Sequence, residues 1–182
     1  MPGRQAARRH FVWRRFLRRL MGTLVTITLL TWLLVPVVMV GVTLHAPRIP
    51  LQNTAQSLPF PAEDVAFRTR DGLTLRGWLA RAGAGAPVIL LAHGYPANRE
   101  QMIPQAAFLY EAGYSVLLLD FRAWGTSDGD RTTFGLRESD DLSAAMDYLT
   151  ARSDLGHPRF GGLGVSLGAG LMVLGAAHDH RL

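Results

Sequence analysis

Hydrophobic positions along this chain follow three different patterns. Residues 20–44, LMGTLVTITLLTWLLVPVVMVGVTL, form one apolar run of 25 positions without a charge. At ~1.5 Å rise per residue such a helix measures roughly 37 Å, more than the ~30 Å hydrocarbon core of a bilayer. Pro36 is tolerable in a membrane helix. The second pattern is alternation. Val65, Phe67 and Thr69 precede Asp71-Gly72, and Leu73, Leu75 and Gly77 follow it. This predicts a hairpin, with Asp-Gly suited to a two-residue type I′ turn. The third pattern is short continuous apolar runs: Pro87–Ala92, Ser115–Leu119 and Phe160–Val165. Each predicts a strand buried on both faces.

Helical stripes separate these runs. Ile103, Ala106, Ala107 and Tyr110 form one, with Pro104 fitting only its first turn and Gly113 marking its stop. Leu142, Ala145, Met146 and Leu149 form another. A hairpin followed by alternating strands and helices predicts an α/β fold, with a mostly parallel sheet and helices on its faces. No internal repeat is evident.

Charge sharpens the picture of the N-terminus. Seven of the nineteen basic residues lie in residues 1–19, with no acid among them. From residue 20 onward twelve basic residues face fourteen acidic ones, so the net +5 belongs to the leading segment. That distribution argues against a nucleic-acid-binding fold, and the arginines read as the cytoplasmic flank of a membrane helix. The expected organisation is a basic cytoplasmic segment (1–19), a transmembrane helix (20–44), a Pro-rich linker (45–62) and a folded domain (63–182) on the extracytoplasmic side. The competing reading, a cleaved signal peptide, expects an apolar stretch of about 7–15 residues and a small-x-small site. The run is longer, and Leu44-His45-Ala46 is a poor site. Arg8-Arg9-His10-Phe11-Val12 resembles a twin-arginine signal, but the further arginines and the long core weigh against export and release. Pro47, Pro50, Pro59 and Pro61 make residues 45–62 look like an extended spacer lifting the domain off the bilayer. The chain has no cysteine, which excludes disulfides, thiolate nucleophiles and cysteine-based zinc sites.

The chemistry concentrates at Gly164-Val165-Ser166-Leu167-Gly168, a G-x-S-x-G pattern where a buried run ends and a helical stretch begins. A serine on a sharp strand-to-helix turn has its hydroxyl exposed. Gly164 and Gly168 remove side chains where the backbone passes closest, and the helix N-terminus aims free N–H groups and its dipole at the reacting oxygen. His93-Gly94-Tyr95 ends the first buried run, so the N–H groups of Tyr95 and Leu167 would form an oxyanion hole. His93 should hold this turn rather than act as a base.

These segments, with Asp120-Phe121-Arg122-Ala123-Trp124-Gly125-Thr126-Ser127-Asp128-Gly129, resemble an α/β-hydrolase. The similarity is to bacterial membrane-anchored serine hydrolases with a serine-aminopeptidase-like fold, over roughly residues 63–178. The family's segment usually reads D-x-R-G-x-G-x-S-x-G; Ala123 stands where a glycine is usual. The resemblance implies a nucleophile at Ser166, supported by Gly164, Gly168, His93 and Gly94, acting on an ester, thioester or amide, with no cofactor and no metal. It also implies about eight strands, with acid and histidine after the nucleophile. The last three strands, the acid and the histidine are then missing, and the chain reads as C-terminally truncated. His178, twelve residues beyond Ser166, would lie roughly 18 Å away along a helix. The third buried run would become an open apolar edge suited to self-association. The alternative is a membrane-tethered binding or assembly module, or an inactive remnant, without catalysis.

Other readings are weaker. Gly162-Leu163-Gly164 with Gly168 lacks dinucleotide-loop spacing. His178-Asp179-His180 lacks a further metal ligand. Asp120, Arg122 and Asp128 are expected to pin the loop beside the site.

Overall fold

The computed structural model describes the backbone of residues 3–182 and the side chains of residues 13–182. It divides into two units, 1–43 and 44–182. The first is helix α1 (Gly3–Leu44 in full), which runs unbroken through Pro36. Its Trp13–Leu44 portion is long and apolar enough to cross a membrane, with mean hydropathy 2.3. The helix therefore begins well before residue 20 and includes the described arginines.

The second unit holds strands β1 (Glu63–Arg68), β2 (Thr74–Ala80), β3 (Val88–Ala92), β4 (Ser115–Asp120) and β5 (Phe160–Gly164). Helix α2 (Ile103–Glu111) joins β3 to β4, α3 (Glu138–Thr150) precedes β5, and α4 (Leu167–His178) follows it. The sheet order is β1-β2-β4-β3-β5. β2 pairs antiparallel with both β1 and β4, while β3 pairs parallel with β4 and β5.

The sheet is covered on both faces. Leu75, Leu90, Leu117 and Leu119 pack with Leu142, Ala145, Met146 and Leu149 of α3 and Leu171 of α4. On the other face Trp78, Leu91, Val116 and Leu118 pack with Met102 and with Ala106 of α2. Period-two alternation within β4 divides these two sets, and all six β4 residues are buried.

Three expectations are corrected. The hairpin has no type I′ turn: the Thr69 amide donates to the Leu73 carbonyl (2.9 Å), leaving a three-residue loop with Gly72 at φ +88°. The Thr69 hydroxyl fixes this longer loop by bonding Asp71 and the Leu73 amide. Second, the run at β5 is only half-buried, because β5 is an outer strand among the described residues. Third, residues 45–62 are not a free spacer. Ala55 and Phe60 are buried against the α2 face. Glu100 accepts the amides of Gln52 (2.7 Å) and Asn53 (2.5 Å), and Asn98 donates to the Ile49 carbonyl (3.0 Å). Arg48 donates to the carbonyls of Gly125 and Gly129, at 3.3 and 2.6 Å, and to that of Ser127. The segment is a strap fastened across the loops that follow β3 and β4. Its polar backbone found partners that composition could not reveal.

Candidate active site

The strand β5 delivers Ser166 to the carboxyl end of the sheet. Gly164 stands opposite Ala92 of β3, and the Val165 amide extends the ladder by donating to the Ala92 carbonyl (3.1 Å). The chain then reverses into α4. Ser166, at the N-cap, takes φ +51° and ψ −117° and is exposed. A non-glycine residue in that region is strained, and such strain persists only where surroundings impose it. The surroundings here are backbone: a Cβ at Gly164 would strike the Gly168 carbonyl, and one at Gly168 the carbonyls of Ala92 and His93.

The turn after β3 lies directly against this elbow. A Cβ on Gly94 would stand 3.3 Å from the Ser166 Cβ and 3.1 Å from the Val165 carbonyl. The Gly94 amide is held by Gln101 Oε1 at 2.6 Å. Leu167 is the first residue of α4, so its N–H is among the amides a helix leaves without an internal partner. Tyr95 sits at the rim, its ring edge-on to Trp124 and tilted on Phe134, with centroids 5.3 Å apart in each case.

His93 is 2 % exposed. Its Nδ1 lies 2.9 Å from the Gly94 carbonyl, and its Nε2 accepts the Phe121 amide at 3.4 Å. This pattern assigns the proton to Nδ1 and leaves neither nitrogen for Ser166. Burial lowers its pKa, against the Gly94 carbonyl and the charge of Asp120, and keeps the ring neutral. His178 Nδ1 engages the Leu174 carbonyl of its own helix (2.9 Å), and Asp179 is bound by Arg181. Neither histidine is a base for Ser166 in this geometry.

The loop after β4 is pinned from several sides. Buried Asp120 accepts the amides of Arg99 (2.8 Å) and Thr126 (3.0 Å), and its carbonyl accepts the Ser127 hydroxyl (2.7 Å). Arg122 bonds Asp141 and Asp71. Burial pushes Asp141 up to about 6, with Arg122 opposing it. Asp128 accepts the Thr74 amide (2.9 Å). These carboxylates fasten the loop through its own Thr126 and Arg122 amides, the Arg122 side chain, and the neighbouring Arg99 and Thr74 amides. Ala123, at the family's glycine position, has φ +66°, which accounts for the usual glycine.

No sequence motif singles out Gln101, Phe134 or Glu138; Trp124 lies within the Asp120–Gly129 segment that carries the resemblance. Glu138 is fully buried and accepts the Thr132 and Thr133 hydroxyls and the amides of Thr133 and Gly135. Burial opposes its charge, but these bonds outweigh it and lower its pKa. Its position three residues after Gly135 was the available signal.

A serine at positive φ between two glycines, where a parallel strand enters a helix, is the backbone arrangement that a G-x-S-x-G turn adopts in an α/β sheet. A model of the alpha/beta hydrolase fold matches residues 87–181, just over half of the 182 residues, and the chain belongs to that family. Polyketide transferase ATR5 of Stachybotrys chlorohalonatus is 36% identical over 122 residues, covering 65% of this chain and 41% of that protein. Polyketide transferase grgF of a Penicillium species is 32% identical over 132 residues, 71% of this chain and 44% of that one. Among solved structures, the Pyrococcus furiosus esterase Pf2001 superposes with TM-score 0.70 at 33% identity, over 77% of this chain and 53% of the esterase. The chain thus spans less than half the length of these two curated relatives.

Proposed function

We propose that this chain is part of a membrane-anchored serine hydrolase in which Ser166 attacks an acyl carbonyl of an ester, thioester or amide. The Leu167 and Tyr95 N–H groups stabilise the resulting oxyanion. Gly164, Gly168, Gly94 and His93 hold the turn. The single observation that carries the reading is the exposed Ser166 at φ +51°, locked by backbone contacts at both glycines. The similarity to a Pyrococcus furiosus esterase supports the reaction class. In this reading the triad histidine and acid come from the part of the fold that pairs beyond β5, since the relatives carry more than half their length outside the match. Helix α1 anchors the protein, with its basic end cytoplasmic and the second unit extracytoplasmic.

The test is a fluorophosphonate probe on the full-length product in its membranes. Labelling is expected at Ser166 and is lost in Ser166→Ala. A folded full-length protein that takes no label refutes the reading.

Two relatives are named polyketide transferases, which favours a second outcome at the same serine. The acyl group on Ser166 would pass to an alcohol or amine in place of water. Product analysis with an added alcohol acceptor distinguishes the two. The non-catalytic alternative rests on the unpaired outer edge of β5 among the described residues, which could accept a strand of another chain.

A further inference from the structure

We infer that the loop Arg131–Arg137 is the edge of the second unit that dips into the membrane interface, and that the acyl substrate is drawn from the lipid layer there. The inference deepens the membrane-anchored hydrolase reading and rests on it.

The loop presents an apolar tip. Leu136 is 81% exposed and Phe134 is 41% exposed. The tip is held rigidly outward. Phe134 has φ +51° and Gly135 φ +112°, a strained path for an aromatic residue. Buried Glu138 imposes it by accepting the Gly135 amide at 2.8 Å and the Thr133 amide at 2.6 Å. Gly135 lies against α4: a Cβ there would stand 2.6 Å from the Leu174 side chain. Leu174 is 40% exposed, so it extends the apolar surface of the tip. An apolar tip held outward in this way points to a surface that receives it.

Phe134, at the base of the tip, borders the acyl site, whereas Leu136 stands clear of it in solvent. The Phe134 ring lies 5.3 Å from that of Tyr95, whose N–H is the proposed oxyanion donor. A lipid-borne acyl chain entering over Phe134 would reach Ser166 past Tyr95 without crossing water.

The occupant follows from where the second unit is tethered. Leu44, its first residue, accepts the Thr132 amide at 3.0 Å, and Arg48 grips the carbonyls of Gly125, Ser127 and Gly129. The apolar span Trp13–Leu44 ends at that same residue. Leu136 is four residues from Thr132, so chain length alone limits it to about 14 Å from the tether. The interfacial layer on each side of the hydrocarbon core is roughly 5–8 Å deep. A tip so placed is within reach of the interface of the membrane that the same chain crosses. The flanking Arg131 and Arg137, both exposed, suit the headgroup level.

Residues 1–182 contain no cysteine; with any further cysteine of the full-length product replaced by serine, a single introduced one takes a unique label. The full-length product, reconstituted in phosphatidylcholine–phosphatidylglycerol vesicles, carries an environment-sensitive fluorophore through Leu136→Cys or, as a control, through Ala84→Cys. Ala84 is exposed in the loop before β3, at the opposite ends of the strands. The expected result is a blue-shifted Leu136→Cys label, quenched by doxyl-labelled lipid and protected from iodide, with the reverse at Ala84→Cys. Equal iodide access at both positions overturns the inference. So does protection at Leu136→Cys without doxyl quenching, which means that protein covers the tip. Leu136→Ser is expected to slow hydrolysis of a long-chain ester carried in the vesicles by about tenfold and to leave a short, water-soluble ester unaffected. Equal effects on both esters, or on neither, overturn the substrate assignment. Fluorophosphonate labelling of Ser166 in the same vesicles reports separately on the hydrolase reading.

Discussion

Gly164 and Gly168 face each other across the turn that carries Ser166, so closely that a methyl group on Gly164 would occupy the place of the Gly168 carbonyl. Gly168 in turn presses on the carbonyls of Ala92 and His93 at the end of β3. These atoms are backbone and cannot rotate aside. Gly168→Ala is therefore expected to destabilise the second unit by more than about 3 kcal/mol, as a steric change at a fixed backbone does. Chemical denaturation measures it, and a loss below about 1 kcal/mol would mean that the elbow can relax.

Ser166→Gly should act in the opposite direction. The φ of +51° and ψ of −117° strain a residue with a Cβ, at a cost of about 1–3 kcal/mol. Glycine removes the strain and returns roughly 0.5–1 kcal/mol to the unfolded chain's entropy. A net gain of about 1 kcal/mol is expected, with complete loss of fluorophosphonate labelling. Ser166→Ala should lose the label without the gain. Equal melting temperatures for both variants would remove strain from the account.

Glu100 holds the strap. Its Oε1 accepts the amides of Gln52 and Asn53 and the side-chain amide of Asn53 (3.1 Å). Glu100→Ala leaves these donors without their acceptor and should cost about 1–3 kcal/mol. The effect should be local, so limited proteolysis near residues 50–53 is expected to accelerate more than cleavage elsewhere. Unchanged cleavage there would mean that burial of Ala55 and Phe60 alone fixes the strap.

The hairpin loop supplies a pH dependence. Bonds from the Thr69 hydroxyl and Arg122 lower the pKa of Asp71 from 3.8 to about 2. A depressed carboxylate stabilises the fold above its unfolded pKa, and that stability is lost as pH falls through the folded value. Asp71 is 34% exposed, so screening limits the contribution to the order of 1 kcal/mol. Asp71→Asn should therefore be less stable than the natural chain at pH 5–7, with the difference shrinking between pH 4 and pH 2. Melting curves across that range check it; a constant difference would assign the effect to packing.

Much of the site was readable before any coordinates. The elbow announces itself because steric exclusion acts between residues two apart from Ser166, and local rules reach that far. Ala123 shows the same logic in reverse: its φ of +66° explains a departure that the sequence could only note. The Asp71-Gly72 turn departs from the dipeptide preference because the choice between two and three loop residues depends on the Thr69 hydroxyl, a contact that dipeptide preference does not include.

The residues by themselves determined the apolar helix, the order of strands and helices and the G-x-S-x-G turn. Each of these follows from periodicity or from sterics within a few positions. The tertiary structure alone decided that β5 lies beside β3 at the sheet's outer side, and that Arg48, Asn98 and Glu100 fasten residues 45–62 to the domain. It alone set Phe134 against Tyr95. Those pairings join positions between 39 and 81 residues apart in the chain. A hydrogen-bond donor in a linear sequence does not specify which distant acceptor will satisfy it; that is fixed only when the packed sheet brings the two together.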